Sequence, residues 1–357
     1  MTVVDDLPVV DDRPVVAEVR GLRVHFPVRR GTHRLTARAV DGVDLQLHER
    51  EIVALVGESG CGKTTIARTV MRLEDATEGS VLINGADVTK LGGVALRRLR
   101  REFQMIFQDP FESIPANRTA GDIVEEGLRV HRRDLDAAAR RQAALAALTA
   151  CGLTPAERIA ERRAFQLSGG QRQRLAIAAA LVLQPRLVVA DEPVSMLDVS
   201  LRAEVIRALL ELRDRTGTAT LFITHDLALA SVVADRVVVL YLGGVVEEGS
   251  AAEVITAPRH PYTRALVEVM PTADSTRRPR TILTGEAPNP TDVPSGCRFA
   301  PRCPRYRLLG QPPRCTAERP ELEPVPGPGG RRVACHFADA VPPVGGPVLP
   351  TTTEQEN

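Results

Sequence analysis

One stretch of eight residues has the types and spacing needed to bind a phosphate. Gly57-Glu-Ser-Gly-Cys-Gly-Lys63-Thr64 fits the pattern G-x-x-x-x-G-K-[ST] in full. The glycines let backbone N–H groups turn inward around the anion, the lysine adds a point charge, and the threonine hydroxyl can ligate Mg²⁺. Lys63 is one of only two lysines among 46 basic side chains. The stretch therefore predicts a phosphate-binding loop.

The elements around this loop must aim it at the anion. Residues 51–57 form a short apolar run that is typical of a buried parallel strand, and residues 66–73 continue as a helix whose N-terminal end favours negative charge. We expect the following residues to bind the phosphates: Gly57, Glu58, Ser59, Gly60, Cys61, Gly62, Lys63, Thr64 and Thr65.

A second predicted strand, 187–191, ends in two acids. Asp191 at the strand end would lie near the metal, usually through a water molecule. Glu192 follows directly and would point elsewhere, where it could orient or deprotonate an attacking water. Without the phosphate loop, the pair would be interpreted as two solvated loop acids.

A second anion-binding helix start is predicted at Leu167-Ser-Gly-Gly-Gln171, with Ser168 as the N-cap of a helix over 169–183. One nucleotide does not need two such sites from the same chain. Two chains packed head to tail would use both, because each phosphate loop would face Ser168 of the other chain.

In the order of its motifs, the sequence resembles the ATP-binding subunits of ABC transporters. The matching stretches are the phosphate loop, Gln108 after a strand, LSGGQRQR at 167–174, the acidic pair, 195–198 and 224–226. The resemblance covers about residues 17–340. It implies that ATP and Mg²⁺ are bound and that the chain is an ATPase.

The resemblance also implies a role for each matching position. The catalytic residues would be Glu192 as the base, His225 contacting the γ-phosphate and Glu192, and Gln108 contacting Mg²⁺ and the water. Thr64, Gln108 and Asp191 would hold the metal.

At the interface between the two chains, the resemblance assigns a second group of residues. Ser168, Gly169, Gly170 and Gln171 would bind the partner chain's ATP, and Asp198 would lie in a loop that crosses the dimer interface. An aromatic residue upstream of the phosphate loop stacks on adenine in this family. Phe26 is in the right place, with His25 as its competitor and a core phenylalanine as the structural alternative.

Strands that alternate with helices predict an α/β fold, and the resemblance specifies it: a phosphate-loop ABC ATPase with a mostly parallel sheet, an antiparallel β subdomain and a helical subdomain. We expect a disordered tail at 1–15, the ATPase domain at 16–257 with its helical subdomain at about 109–168, an accessory domain at 258–343 and a tail at 344–357. Residues 29–38 are predicted to be a basic loop.

Composition excludes several classes of protein. The formal net charge of +1 argues against a protein whose main role is to neutralise nucleic-acid phosphates, so no nucleic-acid partner is expected. No run of 18 apolar residues is present, so we expect no membrane span. The first residues are acidic and interrupted by prolines, which is not typical of a signal peptide.

The last hundred residues differ from the rest, with 19 of the 27 prolines from Pro258 onward. Residues 258–266 resemble a segment of the oligopeptide and dipeptide importer branch. Nickel importers share this segment, so an importer of nickel or another small solute is the alternative. A soluble ABC ATPase unrelated to transport is a more distant one, because the chain has one cassette and no heptad run.

Four cysteines of the same region are spaced C-x5-C-x11-C-x19-C; they are Cys297, Cys303, Cys315 and Cys335. Disulfides do not persist in the reducing cytosol where such an ATPase would act. A [4Fe–4S] cluster, which the branch resemblance supports, zinc with His336 as a ligand, and no metal at all are the alternatives.

The resemblance implies a set of partners. We expect a second ATPase subunit, similar but distinct, although a homodimer is an alternative. The pair would lie beneath two membrane permease subunits, peripherally on the cytoplasmic face of the membrane. An extracytoplasmic solute-binding protein would act on the same transporter indirectly.

Overall fold

The computed structural model of this chain describes residues 12–195, 197–270, 283, 285, 288–326 and 330–338. Of the two predicted tails, residues 1–11 of the first and all of the second lie outside the described residues. The strands are β1 (Val15–Arg30), β2 (His33–His48), β3 (Ile52–Val56), β4 (Glu78–Ile83), β5 (Ala86–Asp87), β6 (Phe103–Ile106), β7 (Leu187–Asp191), β8 (Ala219–Thr224), β9 (Arg236–Tyr241), β10 (Gly244–Ser250), β11 (Glu323–Pro324) and β12 (Arg332–Val333).

Helices connect and cover these strands. They are α1 (Lys63–Val70), α2 (Gly93–Leu99), α3 (Pro110–Ser113), α4 (Ala120–His131), α5 (Ala137–Ala150), α6 (Ala156–Glu161), α7 (Gly169–Leu181), α8 (Val199–Thr216), α9 (Leu227–Val233), α10 (Ala251–Thr256), α11 (Pro261–Glu268), α12 (Pro304–Leu308) and α13 (Arg314–Ala317), with 3-10 turns at Ala164–Gln166 and Ala300–Arg302. Within the described ranges, every helix is too short or too polar to span a bilayer.

The central sheet has the strand order β11-β12-β10-β9-β3-β8-β7-β6. Strands β9, β3, β8, β7 and β6 run parallel, whereas β10, β12 and β11 pair antiparallel at the other side. The residues of β3, β7 and β8 are all buried, which is expected of parallel strands covered on both faces. The carboxyl ends of the parallel strands therefore meet along one edge, where the site is built.

A separate antiparallel sheet has the order β2-β1-β4-β5. Strands β1 and β2 pair from Val15↔His48 to Arg30↔His33, so the predicted basic loop 29–38 is wrong: most of it belongs to this hairpin. An antiparallel sheet can leave one face in water, and charged residues on that face do not prevent strand formation.

Three hydrophobic clusters hold these layers together. The first lies between the antiparallel sheet, α1 and one face of the central sheet, and the second packs α4 to α8 on the other face. The third joins β3, β9 and β10 to α11 and to the segment around Phe299. The polypeptide after residue 257 is thus packed against the ATPase sheet through its own apolar contacts.

Candidate active site

The predicted phosphate loop connects β3 to α1. Gly62 is the N-cap of α1, with φ at 108°, and a Cβ at this position would lie 2.3 Å from the Ala39 carbonyl oxygen. Only glycine fits here, so the loop enters the helix with its backbone close to β2. The Lys63 ammonium reaches back and donates hydrogen bonds to the carbonyls of Gly57 at 2.8 Å and Glu58 at 2.9 Å.

Cys61 is the cysteine of this loop. Its side chain is buried, and burial raises the pKa of the thiol although Lys63 acts in the opposite direction. Cys61 is therefore a small buried neutral group, as expected for a cysteine that packs.

Asp191 lies at the end of β7, where it is 3% exposed and close enough to Thr64 to accept a hydrogen bond from its hydroxyl. Burial raises the pKa of its carboxyl above the usual value. The Asp191 Oδ1 atom is buried and has no hydrogen-bond partner in the described part of the chain. An unsatisfied carboxylate oxygen beside a threonine hydroxyl suits Mg²⁺, which takes one or two protein ligands and completes its shell with phosphate and water.

Glu192 is the centre of a three-residue hydrogen-bonded group. Its carboxylate accepts a hydrogen bond from the Gln108 side-chain amide at 3.1 Å and lies 3.0 Å from His225 Nδ1. Gln108 follows β6, Glu192 follows β7 and His225 follows β8, so the three adjacent strand ends bring together residues that are far apart in sequence. The sequence named these three residues as catalytic, and the structure places them in direct contact.

The predicted second helix start is present at α7. The Ser168 hydroxyl accepts from the Gln171 N–H at 3.2 Å, and the Gln171 side chain accepts from the Ser168 N–H at 3.0 Å. This reciprocal capping box defines the first turn of the helix. Gly169 has no neighbour within 4 Å of an added Cβ, whereas Gly170 lies against Leu197.

Known proteins share this architecture and these motifs. The ABC transporter family model matches residues 40–195. Over 323 residues, the chain is 44% identical to a protein of Sinorhizobium fredii named probable peptide ABC transporter ATP-binding protein y4tS, with 89% of each chain covered. The chain belongs to the ABC transporter ATP-binding family. A second model, described as the C-terminal region of oligopeptide/dipeptide transporters, matches residues 246–307.

A further relative and a solved structure agree with this assignment. The oligopeptide transport ATP-binding protein OppF of Salmonella typhimurium is 42% identical over 323 residues, covering 88% of this chain and 95% of that protein. The dimeric post-hydrolysis structure of the ATP-binding cassette MJ0796, bound to ADP and Pi, superposes with a TM-score of 0.60 and 30% identity, covering 66% of this chain and 98% of that one. The predicted ABC ATPase fold is confirmed.

Two further residues predicted from the family pattern, Phe26 and Asp198, have structural roles of their own. Phe26 is partly buried and packs against the first cluster. We expected it at the end of the first strand, but it lies inside β1, because the strand continues to Arg30. Asp198 is the N-cap of α8 and accepts from the Leu201 N–H at 3.0 Å.

Sequence reasoning missed Gln173, which contacts the segments that carry Gln108 and Glu192. Gln173 is 1% exposed, and its side-chain amide donates to the carbonyls of Phe107 at 3.2 Å and Pro193 at 3.1 Å. It therefore connects α7 to the segments that carry Gln108 and Glu192. The signal was available, because a glutamine within the buried face of α7 must find hydrogen-bond partners.

The four C-terminal cysteines line one cavity of about 20 Å³. Burial raises the pKa of Cys297 to about 11 and that of Cys335 to about 12, and proximity to the other cysteines adds to both shifts. Even so, no group of three or more His, Cys, Asp or Glu residues in the described ranges is arranged to hold a metal ion. As placed, the four thiols share a cavity but are not arranged to hold a single metal ion.

Proposed function

We propose that this ABC protein hydrolyses Mg²⁺-ATP and thereby energises the import of oligopeptides or dipeptides through a membrane transporter, bound peripherally to its cytoplasmic face. The observation that carries the ATPase part is the Glu192 carboxylate, held between Gln108 and His225 beside the phosphate loop. Phosphoryl transfer needs positioning and neutralisation of charge more than covalent chemistry, and this arrangement supplies both.

Each residue has a distinct part in the proposed reaction. Backbone N–H groups of the loop and Lys63 bind the phosphates, and Thr64 and Asp191 would hold Mg²⁺, with Gln108 as a further contact. When bound, the metal neutralises charge on the phosphate oxygens. Glu192 orients and deprotonates the attacking water, and His225 orients Glu192 and contacts the γ-phosphate. Phe26 is proposed to stack on adenine.

A dimer is part of this proposal. Ser168, Gly169, Gly170 and Gln171 would bind the ATP held by the partner's phosphate loop, and Asp198 would lie at the interface. The exposed turn before α7 supports this, because Gly169 leaves its surroundings open to an incoming phosphate. The partners would be a similar ATPase subunit and two permeases, with an extracytoplasmic binding protein acting indirectly.

Substitution of Glu192 tests the catalytic assignment. Glu192→Gln keeps both contacts but cannot accept a proton, so we expect turnover to fall by roughly 10²- to 10⁴-fold while ATP binding persists. In the presence of ATP, this variant should accumulate as a dimer, which size-exclusion chromatography would detect. Lys63→Ala is the matched comparison, and we expect a direct titration to show that this variant no longer binds nucleotide. Turnover by Glu192→Gln near the wild-type rate would show that another residue is the base.

Peptide cargo is supported by the names of the relatives and by the match over 246–307. Nickel importers share the segment 258–266, so the cargo needs its own test. In vesicles that contain the permeases and the binding protein, we expect oligopeptides to stimulate ATP hydrolysis and Ni²⁺ to have no effect. Stimulation by Ni²⁺ alone would favour the alternative.

A [4Fe–4S] cluster at Cys297, Cys303, Cys315 and Cys335 is a separate proposal, supported by their shared cavity and by the branch resemblance. The described residues show no arrangement of these thiols that holds a metal ion, so no step of the reaction depends on a cluster here. Iron and acid-labile sulfide in anaerobically purified protein would support the cluster. Finding zinc, or neither iron nor sulfide, would rule the cluster out.

A further inference from the structure

Glu58 of the phosphate loop is contacted by two residues of the C-terminal segment. The Arg302 guanidinium donates to the Glu58 carboxylate from both terminal nitrogens, at 2.8 and 3.2 Å. The Tyr262 hydroxyl accepts a hydrogen bond from the Glu58 backbone N–H at 2.8 Å. These contacts join residues that are 244 and 204 positions apart, so the C-terminal segment reaches the phosphate loop.

The charge of Glu58 makes the first contact consequential. A carboxylate in a loop that binds phosphates opposes the anion, whereas Lys63 and the loop N–H groups attract it. The Arg302 side chain is only 9% exposed and that of Glu58 28% exposed, so solvent screens their interaction only in part. Pairing with Arg302 therefore cancels the one acidic charge of the loop.

The second contact fixes the backbone of the loop. Tyr262 is fully buried, and its ring lies 4.7 Å from that of Tyr241 and 5.5 Å from that of Phe299, between ring centroids. Burial raises the pKa of the Tyr262 phenol, so the hydroxyl stays neutral. A hydroxyl held by a packed aromatic cluster is a rigid partner for the Glu58 N–H, and it leaves the other N–H groups of the loop for the phosphates.

We propose that Arg302 and Tyr262 are positioning residues of the phosphate loop: Arg302 neutralises Glu58, Tyr262 fixes its backbone, and together they set the affinity for ATP. This rests on the proposed function in one respect, that the loop binds ATP. The C-terminal segment thereby tunes the nucleotide site of its own chain.

A double-mutant cycle tests the role of Arg302. Arg302→Gln leaves Glu58 unpaired, and one such charge at an effective dielectric constant of about 20 should weaken Mg²⁺-ATP binding about tenfold. Glu58→Gln removes the charge itself, so the double variant should return to within about threefold of wild type. Affinity is measured by titration calorimetry at low and at high salt, and the defect of Arg302→Gln should shrink at high salt.

The control is Arg332→Gln. Arg332 pairs with Glu248 on β10, in the same C-terminal segment but on the antiparallel strands of the sheet rather than the phosphate loop. The Arg332→Gln substitution should lower only the melting temperature, if it has any effect, and should leave the affinity for ATP at the wild-type value. Equal losses of affinity in Arg332→Gln and Arg302→Gln would mean that the segment acts only through stability, and the proposal would fail.

Two further variants cover the case in which Arg302→Gln does not fold. Arg302→Lys keeps the charge and should bind ATP with nearly the affinity of wild type. Tyr262→Phe keeps the packing and loses the hydroxyl, and it should raise KM for ATP several-fold with a smaller change in kcat. Wild-type affinity in Tyr262→Phe, or no rescue by Glu58→Gln, would overturn the inference. If Lys63→Ala still bound ATP, the proposed site itself would be wrong instead.

Discussion

Glu192 adopts a left-handed backbone conformation, with φ at 46°. A non-glycine residue in this region costs of order 1 kcal/mol, and such a cost persists where the surroundings impose it. Here its N–H donates to the Ile223 carbonyl at 3.0 Å, and its side chain is fixed by Gln108 and His225. The two adjacent acids therefore have different partners: Glu192 contacts Gln108 and His225, whereas Asp191 contacts Thr64.

His225 is far more exposed than Glu192, with 64% of its side chain accessible against 16%. An exposed histidine can contact a nucleotide bound from outside while its Nδ1 orients Glu192. We expect His225→Ala to lower kcat by about 10²-fold, as for removal of one positioned hydrogen-bonding group, with ATP affinity changed much less.

Steady-state turnover and a binding titration would separate the two quantities for His225→Ala. Ser231→Ala, on the exposed side of α9, is the control and should behave as wild type. A purely structural histidine would instead lower the melting temperature and leave kcat of the folded protein intact.

At this scale the types and order of the residues, together with the family resemblance, predicted a catalytic group, and the structure brings Gln108 and His225 to Glu192. The sequence did not predict their hydrogen bonds. Gln173 and Tyr262 were missed as members of the site, since their importance depends on which segments the fold brings beside them. Glu58 was included only as one residue of the loop, without its ion pair to Arg302.

Among the elements, the start of α1 depends most strongly on single glycines. Gly62→Ala would place a methyl group against the Ala39 carbonyl, so the loop and the first turn must shift. Gly60 also has a positive φ, 77°, but a Cβ there meets nothing within 4 Å. We expect Gly60→Ala to cost about 1–2 kcal/mol, the penalty of the left-handed conformation alone.

Gly62→Ala should cost more and should also abolish ATP binding. Urea unfolding gives the two stabilities and a nucleotide titration gives the affinities. Equal effects of the two substitutions would mean that the contact with β2 does not shape the loop.

Strands with both faces buried were the most predictable elements, and Leu187–Asp191 occurs with the predicted bounds. Their apolar runs end sharply because the sheet ends there. The basic stretch 29–38 was wrongly predicted to be a loop because it contains many charged residues. On a strand with one face in water, arginines alternate with residues such as Leu35 and Ala37, so charge alone does not indicate a loop. Local sequence does not reveal whether such a strand finds a partner.

Across the whole molecule, buried arginines attach the C-terminal segment to the rest. Arg298, 5% exposed, donates to the Asp41 carboxylate at 2.7 Å and to the Asp41 carbonyl at 3.0 Å, and Arg319 donates to the same carboxylate at 3.2 Å. Residues 257 positions apart thus share an ion pair that composition could not predict.

Asp41 should make the stability of the molecule depend on acid. Burial alone would raise the pKa of its carboxyl, but Arg298, Arg319 and Arg38 outweigh this and hold the pKa below the usual 3.8. A lowered native pKa contributes stability that is present above the unfolded pKa and is lost as pH falls through the native value. The contribution of the pair should therefore be complete at neutral pH and decline below about pH 4.

Asp41→Asn tests this by leaving Arg298 buried without its anion. At pH 7 we expect a loss of about 3 kcal/mol in the free energy of unfolding, as for removal of one partner of a buried pair. The gap between wild type and variant should narrow as the pH falls below about 4, because the Asp41 carboxyl then binds a proton more readily in the unfolded chain than in the folded one. Asp75→Asn, at an acid whose side chain is 87% exposed, should leave stability within about 1 kcal/mol at every pH. A gap between wild type and Asp41→Asn that stays constant down to pH 3 would mean that the charge of Asp41 does not hold the C-terminal segment in place, and that the apolar contacts of Tyr241, Tyr262 and Phe299 are sufficient.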